Sequence, residues 1–238
     1  MLRFDIITIF PYIFNSYFST SIIKRAQQKK LIKIKIHNLR DWATDKHRTV
    51  DDKPYGGGPG MVVRADIIYK AIVALSKIKN KKLHPALSVE RRGKKIKNTN
   101  KKTKKQKIIL FSPGGKKFDQ KMAKRFSKLD RLIMICGRYE GVDERVAKYI
   151  ADEEVSVGDY VLTGGEIPAM IVVDAVSRLI PGVLGKNESL EEIKGSYPVY
   201  TRPETIIINK KKRPVPKVLL SGNHKKIEEW RKSRAIKN

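Results

Sequence analysis

The chain has 238 residues and a formal net charge of +28, from 52 lysines and arginines against 24 acidic residues. Its length suffices for a large domain with a hydrophobic core, and 40% hydrophobic residues argue against a chain that is disordered throughout. No apolar stretch approaches the roughly 20 residues that span a bilayer, and the single cysteine, Cys136, excludes an internal disulfide. These features predict a cytoplasmic protein without a membrane partner, whose surplus charge favours an anionic partner such as nucleic acid.

The positive charge is concentrated in two regions of the sequence. Residues 77–107 contain 14 basic residues and only Glu90 as an acidic one, and residues 205–238 contain 11 basic against two acidic residues. Residues 108–204 are nearly neutral, with 14 basic and 15 acidic residues. The first region, a basic insertion at about 79–106, is predicted to be a surface loop that either contacts RNA or only keeps the protein soluble.

Strand and helix signals alternate along the chain. Short apolar or alternating runs predict strands, and apolar residues at helical spacing predict the helices between them. Strands are predicted at 3–10, 31–37, 107–112, 131–136 and 155–162. Helices are predicted at 12–29, 65–78, 119–126, 143–150, 169–179 and 225–235. This order predicts an α/β fold around a mostly parallel sheet.

Three glycine-containing turns follow predicted strands, at 112–115, 136–141 and 157–165. Because ligands of open α/β sheets bind at the carboxyl ends of the strands, these turns are expected to meet at one site. The sequence contains no phosphate-binding G-x-x-x-x-G-K-[ST] motif and no G-x-S-x-G hydrolase motif. Its four histidines have no cysteine partners at zinc-ligand spacing, so the residues predict no metal site.

Several long motifs occur in a fixed order along the chain. They are HRTVDDKPYGGGPGM (47–61), FSPGG (111–115), CGRYEGVDER (136–145), SVGDYVLTGGEIPAMIVVDAVSRLIPGVLG (156–185), YTRPE (200–204) and LLSGNH (219–224). With these motifs the chain resembles the bacterial tRNA (guanine-N1)-methyltransferases, which belong to the SPOUT methyltransferases. The resemblance implies methyl transfer from S-adenosylmethionine to N1 of the guanine 3′ of the anticodon, position 37 of the tRNA. It also implies a deep trefoil knot in the sheet, a homodimer and dependence on Mg²⁺.

The resemblance assigns the three glycine-containing turns to the cofactor. The residues that it implies in binding S-adenosylmethionine are Phe111, Ser112, Pro113, Gly137, Tyr139, Gly141, Val157, Gly158, Asp159, Tyr160, Val161, Leu162, Gly164, Gly165 and Pro168. Each glycine taken singly also fits an ordinary turn, whereas three such turns in the family's order favour the cofactor interpretation. Glycine also permits the close passage of backbone segments that a knot requires.

Methylation at N1 requires a base for the N1 proton and a group that stabilises the negative charge developing towards O6 of the guanine. The resemblance places Arg178 at O6, with Asp174 one helical turn earlier to orient it, and Glu140 at the base edge. The Asp174–Arg178 pair also fits a plain ion pair on a helix surface. Arg48 and Tyr55, in the first motif, are further candidates for binding the tRNA.

The general base is predicted in an acidic linker. The family's aspartate falls on Ile193 here, so the adjacent Glu192 is predicted as the base, with Glu191 as the alternative. The resemblance divides the chain into a SPOUT domain at 1–184, a flexible linker at 185–197 and a shortened helical RNA-binding domain at 198–238. Because of Ile193, a catalytically weakened RNA-binding protein of the same fold is the alternative function, and a related enzyme for another RNA position is a third.

Overall fold

The structure, a computed structural model, describes residues 1–76, 105–185 and 196–235. It contains two compact units, Met1–Val183 and Leu184–Asn238. The basic insertion predicted at about 79–106 lies almost wholly outside the described residues, as does most of the predicted linker at 185–197. No helix in the described ranges is long and apolar enough to cross a membrane.

The first unit contains a central sheet with helices on both sides. The strands of this sheet are β1 (Leu2–Thr8), β2 (Ile32–Asn38), β5 (Gln106–Lys117), β6 (Arg131–Ile135) and β7 (Glu153–Ser156). Two short strands, β3 (Asp51–Asp52) and β4 (Val62–Val63), form a separate antiparallel pair. The helices are α1 (Asn15–Phe18), α2 (Ser21–Gln28), α3 (Ala65–Ser76), α4 (Gln120–Phe126), α5 (Glu144–Tyr149) and α6 (Glu166–Ser177), with 3-10 turns at Pro11–Phe14 and Leu39–Trp42.

The five strands are arranged in the order β2-β1-β6-β5-β7, and every neighbouring pair is parallel. Their side chains alternate between two hydrophobic clusters, so that on β1 Phe4 and Ile6 belong to one cluster and Ile7 to the other. Helices α1, α2, α4 and α6 cover the first cluster, and α3 and α5 cover the second. The prediction of an α/β fold with a mostly parallel sheet is confirmed.

The structure corrects two of the predicted elements. The helix predicted at 12–29 is interrupted between α1 and α2, where the hydroxyl groups of Ser19 and Thr20 donate to preceding backbone carbonyls and compete with the helical pattern. The strand predicted at 155–162 begins earlier, at Glu153, and ends at Ser156. The sequence pattern missed the start of this strand because Glu153 is charged. In the structure, ion pairs with Arg125 and Lys107 neutralise its carboxylate.

The turn predicted after the β5 core is a loop inside the strand. Phe111 and Lys116 both pair with Val155 of β7, so residues 112–115 lie outside the ladder. The helix that follows is capped as the sequence predicts, because the Asp119 carboxylate accepts a hydrogen bond of 2.7 Å from the Met122 backbone N–H.

A buried carboxylate lies within the sheet on β1. Asp5 is fully buried and lies 2.6 Å from nitrogen atoms of Arg3, His37 and Arg131. Burial by itself raises the pKa of Asp5, but the hydrogen bonds from these three side chains lower it to about 2. Arg131 also donates to the Leu75 carbonyl near the end of α3, so the cluster ties β1, β2, β6 and α3 together.

The second unit contains β8 (Thr205–Ile208), β9 (Lys211–Pro214), α7 (Lys217–Leu220) and α8 (His224–Arg234). The sequence predicted α8 but not the antiparallel β8–β9 hairpin, so a purely helical unit is wrong. The hairpin turns at Asn209 and Lys210, which both have positive φ, at 52° and 58°. Its signal is weak in the sequence because the strands have four residues each and one of them is almost entirely cationic.

Candidate active site

The three glycine-containing turns converge, as predicted, on a cavity of about 420 Å³ at the carboxyl ends of the strands. This volume lies within the usual range for small-molecule sites, roughly 300–1,000 Å³. Most of the residues that the sequence assigned to the cofactor line it. They are Phe111, Ser112, Pro113, Gly137, Tyr139, Gly141, Val157, Tyr160, Val161, Leu162, Gly164, Gly165 and Pro168.

Two of the predicted cofactor residues do not line this cavity. The Asp159 carboxylate lies 2.5 Å from Nζ of Lys117, and both side chains are largely exposed. Gly158 lies under the ring of Tyr160, which occupies the space that a Cβ at this position would need. The structure therefore places Gly158 and Asp159 beside the cavity wall rather than in it.

Backbone segments pass very close to one another at two glycines of the cavity wall. A Cβ on Gly165 would lie 2.6 Å from Cα of Cys136, and the Gly165 N–H donates to the Gly137 carbonyl at 3.0 Å. A Cβ on Gly115 would lie 2.6 Å from the backbone nitrogen of Val155. Only glycine fits these two crossings, because the neighbouring atoms belong to the backbone and cannot rotate away.

The cavity is lined by charged residues that the sequence reasoning missed. Besides Glu140, the acidic residues Glu144 and Glu154 are among those that line it. Arg138 is the only positively charged residue among the described residues that line it. Arg138 lies inside the CGRYEGVDER motif, and its position between Gly137 and Tyr139 was a signal that could have identified it.

A buried ion pair lies at the side of the cavity. Glu166, only 1% exposed, accepts a hydrogen bond of 2.7 Å from the Thr8 hydroxyl and one of 2.9 Å from Nε of Arg138. Cys136 lies nearby, and burial, followed by the charge of Glu166, raises the pKa of its thiol well above the usual value. A thiol held in its protonated form is a poor nucleophile, which agrees with a packing role for Cys136.

Glu140 contacts the glycine-rich loop at 54–61. Its backbone N–H donates to the Met61 carbonyl at 3.1 Å, and its carboxylate occupies the space beside Gly60, where a Cβ would lie 2.5 Å from Oε1. Gly60 also has a positive φ of 72°. Tyr55 and Arg48, the candidates for tRNA binding, are exposed and do not line the cavity.

Asp174 lies on α6, Arg178 directly follows the last residue of this helix, and neither lines the cavity. Arg178 follows Pro168, which lines the cavity, by 10 residues, which is about 15 Å along a helix. Among the described residues no ion pair joins Asp174 to Arg178, so the predicted orienting contact is not made. Asp174 instead accepts a hydrogen bond from Tyr17; burial first, and then this contact, raises the pKa of Tyr17 to about 12.

The remaining predictions about the site are outside what the structure describes or find no support in it. Glu192, Glu191 and Ile193 lie in the part of the chain that is not described, so the general base stays a prediction. In the described ranges, no three or more histidine, cysteine or acidic side chains are grouped so as to hold a metal. No step is therefore assigned to Mg²⁺ on the described residues.

A parallel sheet with a cavity at its carboxyl edge, lined by glycine turns and acidic residues, defines an α/β protein with a cavity of the size that small molecules occupy. Comparison with known proteins names the family. Residues 2–238 match the family described as tRNA (Guanine-1)-methyltransferase TrmD, and the chain belongs to this family.

Curated relatives agree with the family match over the length of the chain. The chain is 50% identical over 242 residues to the tRNA (guanine-N(1)-)-methyltransferase of Dictyoglomus turgidum, and the aligned region covers 100% of this chain and 86% of that protein. It is 47% identical over 242 residues to the enzyme of that name from Carboxydothermus hydrogenoformans, with 100% and 84% coverage. The corresponding protein of Clostridioides difficile is 46% identical over 244 residues, with 99% and 93% coverage.

Proposed function

We propose that the protein transfers a methyl group from S-adenosylmethionine to N1 of the guanine at position 37 of tRNA. The family match over residues 2–238, together with relatives named tRNA (guanine-N(1)-)-methyltransferase, carries this proposal. The cavity supports it, because the turns assigned to the cofactor from sequence meet around a space suited to a small molecule. Its carboxylates favour a ligand with positive charge, such as a sulfonium and an ammonium group.

The roles proposed for the residues are those that the family resemblance implies and that their chemistry allows. S-adenosylmethionine supplies the methyl group when it is bound. Glu140, at the mouth of the cavity beside Gly60, accepts from the amino group at the base edge of the guanine. Arg178 stabilises the negative charge that develops at O6, and Glu192 removes the N1 proton.

Arg178 acts in this proposal in the cavity of a second copy of the chain, because it lies about 15 Å along the helix from Pro168, which lines the cavity of its own chain. Ile167, Ile171, Asp174 and Arg178 share one face of α6, at spacings of four, three and four residues. Further apolar side chains are exposed on and around the 3-10 turn that packs against this helix. They are Phe10, Tyr12, Ile13 and Tyr17.

A homodimer that buries this face accounts for two observations at once. It removes exposed aromatic and aliphatic side chains from water, and it brings Arg178 of one copy towards the partner's cavity. A twofold axis would make two equivalent sites, each built from both copies.

The deep trefoil knot is part of the same proposal. Gly165 passes against Cys136 and Gly137, and Gly115 against Val155, at distances that exclude any side chain. Such crossings of backbone segments at the cavity wall are what a knotted sheet requires.

The tRNA is held in this proposal by the cationic surface of the second unit. Residues 210–213 of the hairpin are four consecutive cations, all of them exposed. Among the described residues no carboxylate lies within ion-pair distance of them, so their charge is available to phosphates. The protein would work in the cytoplasm, where tRNA is modified.

Labelled methyl transfer to a tRNA transcript with guanine at position 37 tests the proposed activity. We expect transfer to this transcript and none to a transcript that has adenine there. Cofactor and tRNA binding without transfer would instead support the alternative, an RNA-binding protein of the same fold without catalysis. Transfer to a guanine elsewhere in the tRNA would support the third possibility.

Mixed dimers test the shared site. Arg178→Ala and Glu140→Ala are each expected to reduce turnover at least 100-fold, as removal of a transition-state interaction does. When the two variants are refolded together, half of the dimers combine both chains and each of these has one intact site, which restores about a quarter of the wild-type activity. Activity that stays at the level of the single variants would show that each site uses residues of one chain only.

A further inference from the structure

The ion pair between Arg138 and Glu166 is a charged feature of the cavity wall to which the function above gives no role. Glu166 is on the first turn of α6, and Arg138 is in the turn after β6. Both oxygens of the Glu166 carboxylate are engaged, one by the Thr8 hydroxyl at 2.7 Å and the other by Nε of Arg138 at 2.9 Å.

Several groups fix the guanidinium of Arg138 in one place. Its Nη1 donates to the carbonyl and the hydroxyl of Thr163 at 3.3 and 3.4 Å, in the turn that follows β7. The carbon at the centre of the guanidinium lies 4.8 Å from the centroid of the Phe10 ring. The Phe10 backbone N–H in turn donates to the Thr8 hydroxyl at 2.9 Å, so one connected network holds both partners of the ion pair.

This network leaves one part of the guanidinium available. An arginine has five N–H donors, and among the described residues the Nη2 amino group of Arg138 has no hydrogen-bond partner. The side chain is 20% exposed and lines the cavity. A fixed and largely buried guanidinium with a spare donor is suited to bind a carboxylate.

The charges of the cavity identify the part of the ligand that Arg138 recognises. S-adenosylmethionine carries two positive groups, the sulfonium and the ammonium, and one negative group, the carboxylate. The described lining residues include three acidic residues, Glu140, Glu144 and Glu154, but only one basic residue, Arg138. Opposite charges match only if the ligand carboxylate lies at Arg138.

We infer that Arg138 binds the carboxylate of the amino-acid part of S-adenosylmethionine, and that Glu166, supported by Thr8, is its positioning residue. The inference rests on the proposed function and adds a specific interaction to it. This inference gives the buried carboxylate of Glu166 a function. Glu166 aligns the guanidinium of Arg138 through Nε and leaves the Nη2 donor available for the ligand.

Calorimetric binding of two related nucleosides tests the interaction without tRNA or turnover. S-adenosylhomocysteine and 5′-methylthioadenosine share adenosine and a thioether, but only the first has the amino-acid part and its carboxylate. Arg138→Ala should weaken S-adenosylhomocysteine binding by about 10-fold or more, as removal of a charge-assisted hydrogen bond does, and leave 5′-methylthioadenosine binding within about twofold. Equal reductions for both ligands, or no reduction for either, would overturn the assignment of Arg138.

Glu166→Gln tests the positioning role, because a neutral amide can no longer make the charge-assisted hydrogen bond that holds Nε of Arg138. We expect the same selective weakening of S-adenosylhomocysteine binding. Glu153→Gln is the matched control, since Glu153 also bridges cations, Arg125 and Lys107, but does not line the cavity. An unchanged ratio of the two affinities in Glu166→Gln would show that Glu166 does not position Arg138.

The two levels of the proposal fail in different ways. If the wild-type protein binds neither nucleoside, the cofactor assignment itself is wrong, and with it the role of Arg138. If the wild type binds both and prefers S-adenosylhomocysteine, but the Arg138 variant keeps that preference, only the role of Arg138 is wrong.

Discussion

Replacing Gly165 by alanine is expected to damage the cavity wall and the stability of the protein together. The added Cβ would lie 2.6 Å from Cα of Cys136 and 3.1 Å from the Gly137 nitrogen, so the turns after β6 and β7 must separate. Overpacking costs about 1–3 kcal/mol, and weakening the 3.0 Å hydrogen bond from Gly165 to Gly137 adds about 1 kcal/mol.

This destabilisation corresponds to a fall in melting temperature of about 5–15 °C for a chain of this size. Thermal unfolding followed by circular dichroism measures the fall, and calorimetry with S-adenosylhomocysteine measures the effect on the cavity. Gly115→Ala meets the Val155 backbone at a similar distance and should behave in the same way. Gly114→Ala is the matched control, because its Cβ would find no atom nearer than the Ser112 hydroxyl at 3.9 Å.

Melting temperatures indistinguishable from wild type for both Gly165→Ala and Gly115→Ala, with normal ligand binding, would refute this reasoning. Such a result would mean that the backbone segments separate at no cost. A destabilisation of Gly114→Ala as large as that of the other two would show that these turns do not tolerate a side chain anywhere, independently of the close crossings.

Two further predictions concern charge. Because the pKa of Asp5 falls from 3.8 to about 2 on folding, its ion pairs stabilise the fold fully above about pH 4, and about 2 kcal/mol of this stability is lost as the pH falls through 2. Asp5→Asn should remove this pH dependence from the free energy of urea unfolding and should cost about 3–5 kcal/mol at pH 7, since it leaves the partly buried guanidinium of Arg131 without its carboxylate. Replacing Lys211 and Lys212 by glutamine should reduce the magnitude of the slope of log K for tRNA binding against log salt concentration, by up to about 0.7 for each phosphate that is no longer neutralised. Lys232→Gln is the control, since Lys232 is paired with Glu228, and it should change the slope less. Equal slopes for the wild type and the double variant would show that the hairpin does not bind phosphate.

The sheet and the meeting of the three turns could be predicted from sequence because they depend on local patterns. Continuous apolar runs such as that of β6 identify buried strands, and parallel strands place their following turns at one edge. The breaks were harder to predict. The interruption between α1 and α2 depends on two hydroxyl groups, and the start of β7 depends on partners of Glu153 that are distant in sequence.

The electrostatic design of the cavity could not be read from sequence for the same reason. Glu166 and Thr8 are 158 positions apart in the sequence, and no local sequence pattern predicts the hydrogen bond between them. Arg138 was within a recognised motif, but its role depends on Thr163 and Phe10 of other segments. Long-range polar pairs of this kind follow from topology, which periodicity and spacing do not specify.

The loop at 112–115 has a consequence for how the site can change in evolution or design. Its two ends, Phe111 and Lys116, are fixed opposite the same residue of β7, Val155. A residue inserted into or removed from this loop therefore alters the shape of the cavity wall without shifting the register of the sheet on either side. Away from the close contact of Gly115 with Val155, the cavity wall can therefore change at this position while the strand pairing on either side is kept.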